Sequence, residues 1–236
     1  MNETVIPAWE PHGKALLAYW NGNKKAKIAI YMDDGEHVLM PAKIYFRSPE
    51  DSPELEKIAL EFCEGRVLDV GAGAGAHSLI LEEMEFDVVA IDIDPIGADI
   101  MKKRGLSTVV CADFLNYKSK IKFDTLLFLM NGIGLAGTLD GLCSYLKHAY
   151  EITSKSGQII LDSSDLRISN PELNSKSNYF GEVNYQLSFE EEKGSKYQWL
   201  YIDPEKLEEQ ALLCNWNCEI VYEVEDGSYL ARLTKV

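Results

Sequence analysis

Three glycines at alternate positions, Gly71, Gly73 and Gly75, stand between two carboxylates, Asp69 just before them and Asp92 about twenty residues past the first. Residues of these types suit the binding of a nucleoside better than bond cleavage by a side chain. Glycine has no Cβ, so the chain in Gly71-Ala72-Gly73-Ala74-Gly75 can turn sharply and bring its backbone close to a ligand. An acid at the end of a second strand can take both hydroxyls of a ribose, which is the place Asp92 has after Val88-Val89-Ala90-Ile91. The pattern is half of a nucleotide-binding βαβ unit, and it expects a nucleoside with a flexible attachment.

Placing these groups requires a strand, a turn, a helix and a second strand. Val67, Leu68 and Val70 are apolar and mostly β-branched, as a parallel strand buried on both faces demands. Leu79, Ile80 and Met84 recur at helical spacing over residues 76–84, and the free amides of that helix's first turn face the same crevice. Upstream, Ser52-Pro53-Glu54 reads as an N-cap, a proline at the first helical position and a first-turn acid, with Leu55, Ile58, Ala59 and Phe62 on one face. Downstream, Pro95 starts a helix that Gly105 can stop, and strands are expected at 108–111, 123–130 and 158–161. Leu142, Tyr145, Leu146, Ala149 and Ile152 mark the helix between the last two.

The order changes after Pro171. Residues 183–189 and 197–202 read as a hairpin, Asp203-Pro204-Glu205 opens a helix carrying Leu207, Ala211 and Leu212, and strands at 219–224 and 229–234 join through Asp226-Gly227. The expected fold is α/β, a Rossmann-like doubly wound, mostly parallel sheet with an antiparallel C-terminal edge. One domain spans 1–236: a lead-in at 1–52 with a short helix at 15–20, a ligand-binding core at 53–170, an inserted hairpin at 171–203, and a C-terminal helix and strands at 204–236.

Composition narrows the partners. The chain has 236 residues, 46% of them hydrophobic, enough for one substantial core. With 23 basic against 38 acidic residues the formal charge is −15, which repels a phosphate backbone. The densest basic runs, Lys24-Lys25-Ala26-Lys27 and Lys102-Lys103-Arg104, read as solvated faces or helix ends, so nucleic acid is not expected. No apolar run reaches the roughly 20 residues of a membrane span, and Met1-Asn2-Glu3-Thr4 lacks the basic start and apolar stretch of a signal peptide, so a cytoplasmic protein with no membrane partner is expected. Cys63, Cys111, Cys143, Cys214 and Cys218 are expected as reduced, buried thiols.

On these residues the chain resembles the class I S-adenosylmethionine-dependent methyltransferases over roughly residues 53–236. The family's first motif is an apolar strand, an acid, an apolar residue and Gly-x-Gly-x-Gly; it matches Val67-Leu68-Asp69-Val70-Gly71-Ala72-Gly73-Ala74-Gly75 without a departure. The resemblance makes Asp92 the ribose ligand, puts Ile93 against the adenine, and offers Asp113 and Phe114 to the adenine amino group and ring. Phe123-Asp124-Thr125-Leu126-Leu127-Phe128 matches the fourth-strand motif. It implies S-adenosyl-L-methionine as cofactor and methyl transfer to a small-molecule acceptor.

A nicotinamide-dependent oxidoreductase is the competing reading, because Gly71-x-Gly73-x-x-Ala76 also satisfies the looser pyrophosphate fingerprint. Asp69 opposes it: a carboxylate there suits the ammonium of a methionine moiety and repels two phosphates. A third reading is a protein that binds the nucleoside without catalysis. Methyl transfer needs alignment more than a nucleophilic side chain, so no catalytic residue is assigned.

Acceptor contacts are expected from the strand-end turns and the lead-in. Asn131 either lies beside the methyl donor or only stabilises the turn at Gly132. Asp162 and Asp165 either pair with a cationic acceptor or cap the next segment. His77 either touches the cofactor or packs as a neutral ring. Tyr19, Trp20, Tyr45, Phe46 and Arg47 either form an aromatic lid or pack on the sheet edge, and Trp199 and Tyr201 share that ambiguity. Cys214 and Cys218 have metal-compatible spacing but no further ligands, so no metal is expected. His12, His37 and His148 suggest nothing specific.

Overall fold

The computed structural model describes residues 6–32, 37–170, 172 and 179–236. The reading of residues 1–4 and the boundary at Pro171 lie outside them. In chain order the elements are α1 (Glu10–Trp20), β1 (Lys27–Tyr31), β2 (His37–Pro41), α2 (Glu54–Glu61), β3 (Arg66–Val70), α3 (Ala76–Glu83), β4 (Asp87–Asp92), α4 (Pro95–Lys103), β5 (Val109–Cys111) and β6 (Phe123–Phe128). There follow α5 (Leu139–Ile152), β7 (Thr153–Ser164), α6 (Leu166–Ser169), β8 (Glu182–Phe189), β9 (Glu192–Lys193), β10 (Tyr197–Leu200), α7 (Pro204–Leu213), β11 (Trp216–Glu223) and β12 (Ser228–Lys235).

The main sheet runs β11-β12-β7-β6-β3-β4-β5, with β3 to β7 parallel and β11 and β12 antiparallel, which is the expected architecture. Its central strands β3, β4 and β6 are largely apolar because both faces are covered. Leu68, Val70, Leu126 and Phe128 face a core closed by α5 and α7, whereas Val67, Leu127 and Leu129 face Leu55, Ala59, Ile80 and Leu81 of α2 and α3. Asp69 follows that alternation and points toward α3, where Ser78 meets it.

A second, antiparallel sheet runs β10-β8-β1-β2, with β9 paired to β8. The hairpin of β8 and β10 therefore does not stand alone. The lead-in joins it through Ala29↔Ser188 and Ile30↔Leu187, so two segments far apart in sequence form one layer.

Several local expectations need correction. The first helix is a turn longer than residues 15–20 and carries Pro11 in its first turn. Ser52 does not cap α2; its hydroxyl donates to the Ser48 carbonyl, and Pro53 occupies the cap position. Met84 terminates α3 and is 47% exposed, while His77, Ser78 and Leu81 take the buried face. Leu212 lies on the outer face of α7, and Cys111 is exposed on the edge strand.

Candidate active site

The glycine turn is held open by backbone geometry. Gly71, Gly73 and Gly75 have φ of +73°, +58° and +80°, a region costly for side chains with a Cβ. The N–H groups of Gly71 and Ala72 both donate to the Ile91 carbonyl, which ties the turn to β4. Gly97 lets α4 approach, since a Cβ there would lie 2.7 Å from the Gly73 carbonyl oxygen.

Asp92 ends β4 half-buried. Its Oδ2 accepts from Gly73 N at 2.7 Å and its Oδ1 from Asp94 N at 2.8 Å, leaving each oxygen capacity for another donor. Burial pushes its carboxyl up to about 6, against the two backbone donors that pull it down. Asp69 is 2% exposed, with Oδ2 taken by the Ser78 hydroxyl at 2.5 Å. Burial raises its pKa, opposed by His77 and Ser78.

Beyond the ribose position, Ile93 is 38% exposed at the strand end. Asp113 caps a short 3-10 turn, its Oδ1 accepting from Leu115 N at 2.8 Å. Phe114, offered to the adenine ring, is 4% exposed and sits edge-on to Phe128 and His148 and tilted against Tyr145, because the turn directs it into the core. Leu115, 40% exposed, is the apolar side chain left outside at this turn.

Asn131 adopts the left-handed region, φ 59° and ψ 34°, directly after Met130 at φ 60°. Two such residues in succession are costly without glycine, and they turn the chain across the end of β6. The Asn131 N–H donates to Asp162 Oδ1 at 2.7 Å. Burial pushes Asp162 up to about 7, with Glu56 adding to the rise and Asn131 and His77 opposing it. Asp165, by contrast, caps α6 through Arg167 N.

The second sheet and α1 close over this edge. A Cβ on Gly73 would lie 3.2 Å from Tyr45 Cδ1 and 3.9 Å from His12 Cε1, and those two rings meet edge-on at 4.6 Å. Burial brings His12 down to about 4, so its ring is neutral. Gly13 allows the approach of α1, since a Cβ there would overlap the Asp94 carboxylate. Arg104 clasps both sides, donating to the Ala74 and Tyr45 carbonyls. The expected aromatic lid thus divides. Tyr45 turns inward, while Tyr19 and Trp20 pack on Phe46. Arg47 is no free cation: it pairs with Glu56 of α2, which also meets His77 Nε2 at 2.7 Å, so His77 packs in a buried ionic group. Trp199 lies over Gly134, and the Tyr201 hydroxyl is 2.7 Å from that of Tyr185.

His12, Glu56, Tyr185 and Tyr197 also stand around the site, and the sequence gives little sign of them. Only His12 had a readable signal, because a glycine inside a helix beside it marks a close approach. Cys214 meets Cys143, Sγ to Sγ 3.2 Å, and among the described residues no group of three or more possible ligands gathers for a metal.

The glycine cradle, the strand-end acid and its spare acceptor capacity fit an adenosyl group. No protein-family profile and no curated protein matches the chain. Among solved structures, a methyltransferase from Bacteroides fragilis complexed with S-adenosylhomocysteine is 32% identical, with a TM-score of 0.90 over 100% of this chain and 99% of that one. The CcbJ methyltransferase from Streptomyces caelestis (11% identity, TM-score 0.65, 82% and 95% covered) and a methyltransferase from Clostridium acetobutylicum (14%, 0.61, 82% and 97%) share the fold. Neither the nicotinamide reading nor the non-catalytic one gains support from these comparisons. The chain belongs to the class I S-adenosylmethionine-dependent methyltransferases, enzymes whose cofactor is S-adenosyl-L-methionine.

Proposed function

We propose that this enzyme methylates a small molecule enclosed between the carboxyl edge of the parallel sheet and the second sheet. The observation that carries the reading is the closure over the glycine turn: Tyr45 and His12 stand within van der Waals reach of a Cβ position on Gly73. A macromolecular acceptor needs an open approach, whereas a roofed site admits a small one. The bound cofactor supplies an electrophilic methyl group on a sulfonium. The protein's part is to bind, to align and to exclude water, and alignment alone can lower a barrier by about 7–11 kcal/mol.

In this reading Asp92 holds the ribose, Gly71, Ala72, Gly73 and Gly75 give the backbone its close approach, and Ile93 and Asp113 bound the adenine. Asp69 braces the methionine end through Ser78, and Asn131 lies beside the reacting atoms. Phe114 acts from behind by packing the adenine turn. Charge argues against a nucleic-acid acceptor, since the chain carries −15 and has an acidic run at Glu190, Glu191 and Glu192. No described helix is long and apolar enough to cross a membrane. We place the enzyme in the cytoplasm, where its five free cysteines stay reduced.

The test is to incubate the enzyme with methyl-tritiated cofactor and a cell extract, then separate filtrate from macromolecules. Label in a small product separated from unreacted cofactor is expected, and transferred label found only in protein or RNA contradicts the reading. Asp92→Ala should weaken S-adenosylhomocysteine binding by about 1.5–3 kcal/mol, the worth of hydrogen bonds to a charged group. Unchanged affinity in the folded variant contradicts the ribose assignment.

A further inference from the structure

Two acids end β7, and the structure separates them. Asp165 is spent on its own chain, capping α6 and holding the Arg167 guanidinium. Asp162 caps nothing. Its Oδ1 accepts the Asn131 N–H, and no other residue among the described ones is seen to hydrogen-bond its carboxylate. Opposite stands the Tyr201 hydroxyl, paired to that of Tyr185 and facing both Asn131 and Asp162. Asn131 Oδ1 and Nδ2 are buried there; the amide interacts with the Tyr201 hydroxyl, but neither atom makes a well-formed hydrogen bond among the described residues. A buried amide with donor and acceptor capacity to spare calls for an occupant. The wall beyond is aromatic, with Tyr185 stacked on Trp199 at 6.2 Å and set edge-on to Tyr197 at 6.1 Å.

We infer that Asp162, the Asn131 amide and the Tyr185–Tyr201 hydroxyl pair form an acceptor subsite for a protonated primary or secondary amine, whose proton Asp162 takes. The inference rests on the methyltransferase reading above. A carboxylate and hydroxyl oxygens accept from N–H groups, and aromatic faces favour a cation. The ammonium gives its proton to Asp162 and so frees the nitrogen lone pair. That pair forms the N–C bond as the C–S bond breaks, its electrons going to sulfur, and the proton then leaves to water. An aliphatic alcohol holds its proton too tightly for a carboxylate to remove it. The titratable groups facing Asp162 are Glu56 from α2, which disfavours its ionisation, and His77 from α3, which favours it, with Tyr201 across the site and Arg47 neutralising Glu56.

The experiment titrates the full chain, saturated with S-adenosylhomocysteine, with benzylamine and with benzyl alcohol by calorimetry. The amine is expected to bind at least about tenfold more tightly, as an ionic hydrogen bond allows. Asp162→Asn should abolish that preference, keep S-adenosylhomocysteine affinity, and cut tritium transfer from the cofactor to benzylamine by about 100-fold or more. Asp162→Ser serves the same comparison if the amide variant fails to fold. Cofactor-product binding without an amine preference, or a preference that survives substitution, overturns the inference. Equal tritium transfer by the substituted enzyme overturns the proton role. Failure of the unsubstituted chain to bind S-adenosylhomocysteine overturns the underlying reading instead.

Discussion

The parallel sheet and the sheet that roofs it are built on different principles. In the parallel sheet Leu68, Leu126, Leu127, Ile159 and Ile160 are each 0% exposed, and the neighbouring pairs β3–β4, β4–β5 and β6–β7 are each joined through a helix. In the roof, β1 meets β8 across more than half the sequence, and much of what it turns toward the site is tyrosine with hydroxyls paired to each other. Apolar burial fixes the first region to one geometry. The second holds by fewer apolar contacts and by polar ones that a ligand can replace. A rigid cofactor platform under a separately held acceptor roof follows from that difference.

The sharpest way to break the contrast is to damage the platform. Leu126→Ala should cost about 2–5 kcal/mol of global stability, read by denaturant unfolding, because the surrounding sheet cannot collapse into the space. Gly73→Val should leave a folded chain that no longer gains the ~2.7 kcal/mol expected from S-adenosylhomocysteine at 100 times its Kd. Its φ of +58° and the nearby Tyr45 ring resist a β-branched side chain. An equal ligand-induced rise in melting temperature would mean that the turn is only a tight connection.

Damage to the roof should look different. At Gly134 an added Cβ would overlap the Trp199 indole, so Gly134→Ala should displace that ring at a cost of about 1–3 kcal/mol. Faster proteolysis within β8 and β10 is expected, with S-adenosylhomocysteine affinity kept. Lost affinity would show that roof and platform act as one body.

The smallest effect is with pH. Asp92 and Asp162 titrate near 6 and 7 in the folded chain, above the usual carboxylate range, so the folded state holds more protons than the unfolded between about pH 4 and 7. Their contribution to the stability of the ligand-free chain therefore falls as pH rises through that window. S-adenosylhomocysteine affinity should move the other way, since ionised Asp92 is the better acceptor for ribose hydroxyls. Melting curves with and without ligand across the window check both signs, and Asp92→Asn should flatten the affinity trend.

The platform was legible in the sequence because its causes are local. Val67 to Val70 had to be a buried strand, the glycines a turn, and Asp92 a strand end. The roof was not, because pairing Ala29 with Ser188 is set by long-range register that no window of sequence contains. His12 is marked in the sequence only by the adjacent Gly13, and α1 is what lays it over Gly73, while the inward direction of Phe114 is set by Phe128, Tyr145 and His148, far from it in sequence. Asp162 and Asp165 are alike in the sequence, and their partners tell them apart: Asn131 N–H for the first, Arg167 for the second.

The central claim is that the platform holds the cofactor so that its reactive end opens under the roof. A crystal structure of the full chain with S-adenosylhomocysteine tests it most directly. Both ribose hydroxyls should lie within hydrogen-bond distance of the Asp92 carboxylate, and the sulfur should face the space among Asn131, Asp162 and Tyr201. A ribose bound elsewhere, or a sulfur turned to open solvent with Tyr45 and Tyr201 away from it, would contradict the account.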